Sequence, residues 1–194
     1  RAAILPAGHS ANAAYWWDTS AGHFVSSTFY MNDLPQWVKD FNKANHTKPK
    51  FNIKTNDDGV TMTFRMAEAA VDNERLGQTA GQTDMLAISI SSTDAIGHEY
   101  STRGPENKSV YLRLDRDVAT FLKHLDEEVG KGNYLLFLTA DHGASHNYNF
   151  LKSHRIPADG WDYDKSVSEL NKYLRSQFPS MTSDPVLGED NYHF

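Results

Sequence analysis

The most constraining feature of this chain is a pair of short runs that are apolar on both faces, separated by a long stretch with helical periodicity. Asp84-Met-Leu-Ala-Ile-Ser-Ile90 is the first run and Tyr134-Leu-Leu-Phe-Leu-Thr-Ala140 the second. Strands that are apolar throughout belong to parallel sheets covered on both faces, whereas half-solvated antiparallel strands alternate. Between the runs, Val110, Leu114, Val118, Leu122, Leu125 and Val129 recur at helical spacing until Gly130 and Gly132 interrupt them. Strand, long helix, strand is the pattern of a βαβ unit. The expected fold class is therefore α/β: a parallel, mixed-edge sheet with helices on both faces.

The flanking regions are less periodic. Phe24–Tyr30 is β-branched and aromatic enough to predict a strand. Asp33 as N-cap and Pro35 in the first turn predict a helix to about Asn42, with Leu34, Val38 and Phe41 on one face. Asn45 to Gly59 is polar and predicts a loop. Met62, Met66, Ala69, Ala70 and Leu76 then predict a helix that ends at Gly77, and Val167, Leu170, Tyr173 and Leu174 predict inward positions on a final helix over Asp164–Gln177. Residues 1–56 read as an irregular accessory segment and 57–194 as the βαβ-containing core of one partial domain.

Composition narrows the function. The chain has 194 residues, a formal charge of −6 and no basic run. Binding to a phosphate backbone needs clustered Lys and Arg, so nucleic acid is not an expected partner. Zero cysteines exclude disulfides and thiolate metal ligands. No apolar run approaches the roughly 18 residues that would span a membrane.

In open parallel sheets, ligands gather where the loops leave the carboxyl ends of the strands. The first run is followed by Ser91-Ser-Thr-Asp94-Ala-Ile-Gly-His98 and the second by Asp141-His142-Gly143. Each exit offers one carboxylate and one imidazole. A chain with nine histidines yields about one Asp-His neighbour by chance, so the motifs carry information only through their placement after the two strand candidates. Oxygen and nitrogen ligands without sulfur suit catalytic Zn²⁺, with Mn²⁺ or Mg²⁺ as alternatives, and two neighbouring pairs suit two ions clamping an in-line phosphoryl transfer. His146 stands four residues after His142, but Gly143 between them and the lack of an acidic partner argue against a helical zinc site and for a role supporting the ligands or a structural one.

These residues resemble the metal-binding core of the alkaline phosphatase superfamily. More narrowly, Arg1-Ala-Ala-Ile-Leu-Pro-Ala-Gly-His9 through Trp17-Asp18, together with Glu68-Ala-Ala-Val-Asp-Asn-Glu-Arg-Leu-Gly77, resemble bacterial single-domain alkaline phosphatases related to type I phosphodiesterases and nucleotide pyrophosphatases. The resemblance implies two zinc ions in a full-length parent. Asp94 and His98 would bind the ion that stabilises the leaving oxygen, and Asp141 and His142 the ion that activates a nucleophilic hydroxyl. It also implies that Arg1 contacts phosphate oxygens and that the substrate is a small phosphate monoester hydrolysed through a phosphoenzyme, with export to the periplasm or beyond. Under this reading the chain is an internal piece whose nucleophile lies upstream, so no catalytic nucleophile is assigned within it. Alone it is expected to show little or no turnover and weakened or lost metal binding. Phosphodiester or nucleotide pyrophosphate hydrolysis on the same core, and a non-catalytic metal-binding module, are the alternative readings.

Overall fold

The computed structural model describes residues 2–5, 13–45, 47, 51–180 and 182–186. Contacts divide the chain into two compact units, 1–147 and 148–194. The first holds a small sheet with strands β1 (Ala2–Leu5), β2 (Tyr15–Asp18), β3 (His23–Val25) and β4 (Leu86–Ile88) in the order β3-β2-β1-β4. β1 runs parallel to β2 and to β4, with Ile4 opposite both Tyr15 and Ile88, while β2 and β3 form an antiparallel hairpin.

Local chemistry explains the hairpin. Oδ1 of Asp18 accepts from the backbone N–H of Ser20 at 2.8 Å, and the Gly22 N–H closes onto the Asp18 carbonyl at 2.7 Å. Gly22 takes the positive φ of 70° that this turn requires. Along β2, Tyr15 and Trp17 point inward and their neighbours outward, the period of two expected of a strand. Trp17 meets Phe24 and Phe51 edge to face at 5.3 and 6.0 Å and donates its indole N–H to the Phe51 carbonyl at 3.3 Å.

Helices dominate the rest of this unit: α1 (Gln36–Ala44), α2 (Asp58–Asn73), α3 (Ser92–Tyr100) and α4 (Pro105–Leu125), the last followed by a π-helical turn over Asp126–Gly130. α2 lies against β1, β4 and α4, and its face of Val60, Phe64, Met66, Ala67, Ala70 and Val71 is buried. It ends at Asn73, four residues before Gly77, because the chain first turns through Arg75 at φ 53°. α4 starts with Pro105 at its first turn, where a missing N–H costs no hydrogen bond. Val110 and Leu125 point into the core as their spacing predicts, joined by Phe121.

The second half of the expected βαβ unit does not form. Tyr134–Ala140 is irregular, and Leu135, Phe137 and Leu138 are 80, 81 and 72% exposed. A strand apolar on both faces is stable only with ladder partners and with cover above and below. Among the described residues nothing supplies these, and only Tyr134 is anchored, its hydroxyl donating to Asp126 at 2.8 Å. The first strand is also shorter than its apolar run, covering Leu86–Ile88.

The second unit contains α5 (Tyr148–Ser153) and α6 (Tyr163–Gln177). Asp162 caps α6, accepting from the Lys165 N–H at 2.9 Å. The buried Asn171 side chain exchanges two 2.9 Å hydrogen bonds with the backbone of Val186. Leu170 and Tyr173, expected inward, are exposed, because the buried position of α6 is Asn171. No helix among the described residues is long and apolar enough to cross a membrane.

Two mutations test this architecture by chemical denaturation of the chain. A Cβ on Gly59 would sit 1.9 Å from the Ile53 carbonyl oxygen, so Gly59→Ala is expected to destabilise by about 1–3 kcal/mol, although alanine is the better helix former. Phe137→Ser is expected to change stability by no more than about 0.5 kcal/mol, whereas a Phe137 paired within a covered sheet would cost several times that.

Candidate functional site

α3 is a helix with two stripes. Ser92, Ile96 and Gly97 are buried, and the Ser92 hydroxyl donates to the Ile53 carbonyl at 2.7 Å. Gly97 faces Asn107 so closely that a Cβ would lie 3.2 Å from its amide nitrogen. Asp94 and His98 stand two positions out of step with Ser92 and Ile96, which turns them to the opposite, exposed side. A carboxylate in the first turn and an imidazole in the last both agree with the helix dipole. Their separation of one turn brings His98 Nε2 to 3.3 Å from Asp94 Oδ1.

The loop after residue 140 reaches the same place. His142 Nε2 lies 3.8 Å from Asp94 Oδ1 and 3.7 Å from Asp141 Oδ2. The four candidates named from sequence, Asp94, His98, Asp141 and His142, thus form one cluster although 47 positions separate Asp94 from Asp141. Arg1, the expected phosphate contact, lies outside the described residues. His146 bonds through Nδ1 to Thr102 Oγ1 at 2.6 Å.

The ring of His142 is oriented by its neighbour. Nδ1 lies 2.8 Å from the Gly143 carbonyl, which can only accept, so Nδ1 carries the hydrogen and Nε2 is the atom turned toward the carboxylates. That backbone bond, followed by the charges of Asp141 and Asp94, raises the His142 pKa above the ordinary 6.5. The cluster is open to solvent, Asp141 most of all at 90% side-chain exposure.

The donors suit zinc pair by pair. Two ligands at about 2.1 Å from a tetrahedral ion stand roughly 3.4 Å apart, close to the 3.3 Å between Asp94 and His98 and the 3.7 Å between Asp141 and His142. Among the described residues no group of three or more such side chains converges tightly enough to enclose an ion. Each pair alone would supply two ligands of a set that needs about three from protein.

Asn147, Ser101 and Thr102 went unmarked in the sequence reading. The Asn147 amide donates to the carbonyls of His98 and Glu99 at 3.3 and 3.0 Å, and the Asn147 backbone N–H to Ser101 Oγ at 3.3 Å. No local motif announces these bonds, which join residues more than 40 positions apart.

Proton titration by NMR offers a direct test of the cluster. The His142 ring is expected to titrate above 6.5 and to move back toward that value in Asp141→Asn. Because folding raises this pKa, the associated stability is complete below pH 6.5 and disappears as pH rises through the folded midpoint.

Comparisons with known proteins show the family of the chain. A family model described as type I phosphodiesterase / nucleotide pyrophosphatase matches residues 2–183. Alkaline phosphatase PafA of Elizabethkingia meningoseptica is 35% identical, over 92% of this chain and 41% of its own length. Alkaline phosphatase PhoV of Synechococcus elongatus is 40% identical, over 79% of this chain and 36% of its own. A Myroides odoratus protein named a calcium-transporting ATPase is 39% identical, over 92% and 42%. The crystal structure of wild-type PafA matches with a TM-score of 0.72 at 32% identity, covering 85% of this chain and 40% of that one. The chain spans about two fifths of the length of these relatives. It belongs to the type I phosphodiesterase / nucleotide pyrophosphatase family of the alkaline phosphatase superfamily.

Proposed function

We propose that this chain supplies part of the metal-dependent active site of a phosphate monoester hydrolase acting through a phosphoenzyme. The observation that carries the reading is the meeting of two distant Asp/His pairs at Asp94 Oδ1, 3.3 Å from His98 Nε2 and 3.8 Å from His142 Nε2. Asp94 and His98 would hold one zinc ion and Asp141 and His142 a second. Ions bound there supply Lewis-acid stabilisation of phosphoryl oxygens and lower the pKa of attacking groups.

The residues of the chain do the positioning. The buried stripe of Ser92, Ile96 and Gly97 fixes α3, which presents Asp94 and His98 on its exposed side. The Gly143 carbonyl keeps the Nε2 lone pair of His142 directed toward the cluster. Arg1 would bind the non-bridging oxygens of a terminal phosphate, and the added positive charge favours a dianionic monoester over a monoanionic diester. Export from the bacterial cytoplasm and a complete parallel sheet, covered on both faces, belong to the same reading.

The family match also supports hydrolysis of phosphodiesters or nucleotide pyrophosphates on this core. In a longer protein carrying this chain, the monoester reading is expected to show a higher kcat/KM on a nitrophenyl phosphate monoester than on the corresponding diester. Asp141→Asn is expected to lower kcat/KM by several orders of magnitude. A preference for the diester selects the second reading. An unchanged rate in Asp141→Asn overturns both.

A further inference from the structure

A second set of contacts, outside the four candidate ligands, decides where the two pairs sit. α3 ends at Tyr100, the carbonyls of its last turn lack helical partners, and the Asn147 side chain donates to two of them, those of His98 and Glu99. One residue earlier, His146 is bonded to Thr102 Oγ1 at 2.6 Å and approaches Ser101 Oγ at 3.4 Å. Ser101 is fully buried and takes φ 72° and ψ 161°, a conformation that a non-glycine residue adopts only under strain. Glycine would relieve that strain but would lack the hydroxyl that accepts from the Asn147 N–H.

We propose that Ser101, Thr102, His146 and Asn147 form a clasp that positions the Asp141–His142 loop against Asp94 and His98, so that these four are positioning residues for metal binding. Asn147 acts through the backbone of His98 itself, and through the chain that connects it to His142. The loop from Leu135 to Ser145 is exposed throughout, and the clasp is its tether on the side of the cluster. The proposal rests on the metal reading given above for the cluster, but its mechanical part does not.

Two measurements test it. The first is the backbone ¹⁵N order parameter of His142–Ser145 in this chain without metal, and the second is the midpoint of a Zn²⁺ titration of a longer protein carrying this chain. Asn147→Ala, Ser101→Gly and Thr102→Val are each expected to lower the order parameters into the flexible range, below about 0.6, and to weaken Zn²⁺ binding about 10- to 100-fold. Thr102→Ser keeps the hydroxyl and is expected to restore both. Ser101→Gly should not lower the melting temperature, since it removes backbone strain, which separates positioning from general support of the fold. Unchanged order parameters in all three variants overturn the clasp, and so does a loss of α2 structure in all three. Asp94→Asn serves as the control for the metal reading: if it leaves the Zn²⁺ midpoint unmoved, that reading fails, while the order parameters still judge the clasp.

Discussion

The carbonyl of Ile53 is the junction on which the site depends. Its oxygen accepts the buried hydroxyl of Ser92, and the same carbonyl leaves no room for a side chain on Gly59. The first turns of α2 and α3 are thereby referred to one atom of a residue that is itself fully buried. A helix of nine residues has little stability of its own, so α3 owes its azimuth to this bond and to the burial of Ile96 and Gly97. Rotating α3 to expose Ser92 would leave a buried acceptor unpaired at a cost of about 1–3 kcal/mol. The outward direction of Asp94 and His98 follows from that constraint.

Electrostatics then favour the cluster in stages. Asp94 and His98 are complementary to each other and to the dipole of their helix. His142 arrives with its Nδ1 hydrogen already engaged, and its pKa is raised first by that bond to the Gly143 carbonyl and then by the charges of Asp141 and Asp94. On the proposed metal reading, a divalent cation and a proton would compete for the Nε2 atom of His142.

The legible and illegible parts of the molecule divide along a physical line. The helix α4, the buried face of α2 and the Asp94/His98 pair one turn apart on α3 follow from periodicity within a single segment, and short-range order is what a sequence encodes locally. The proximity of Asp141 and His142 to Asp94 was readable only through topology, as two loops at neighbouring strand ends, yet the loop arrives there although its strand is not formed. Tyr134–Ala140 has the composition of a central strand, but strand formation needs neighbours, and composition cannot supply them. Leu170 and Tyr173 were misplaced for the opposite reason, because a polar residue, Asn171, occupies the buried position through a pair of backbone hydrogen bonds. Ser101 carries no signal at all, since positive φ announces itself in a sequence only through glycine or asparagine.

The uncovered segment that follows the π-helical turn has a colloidal consequence. Tyr134-Leu-Leu-Phe-Leu-Thr-Ala140 is seven residues without charge, proline or glycine, rich in aromatic and aliphatic side chains, and its backbone is not committed to a ladder. Such a window recruits identical windows into intermolecular β-structure as readily as it would enter a sheet of its own. Raising the concentration of this chain is therefore expected to favour association between copies over orderly folding at the same seven residues.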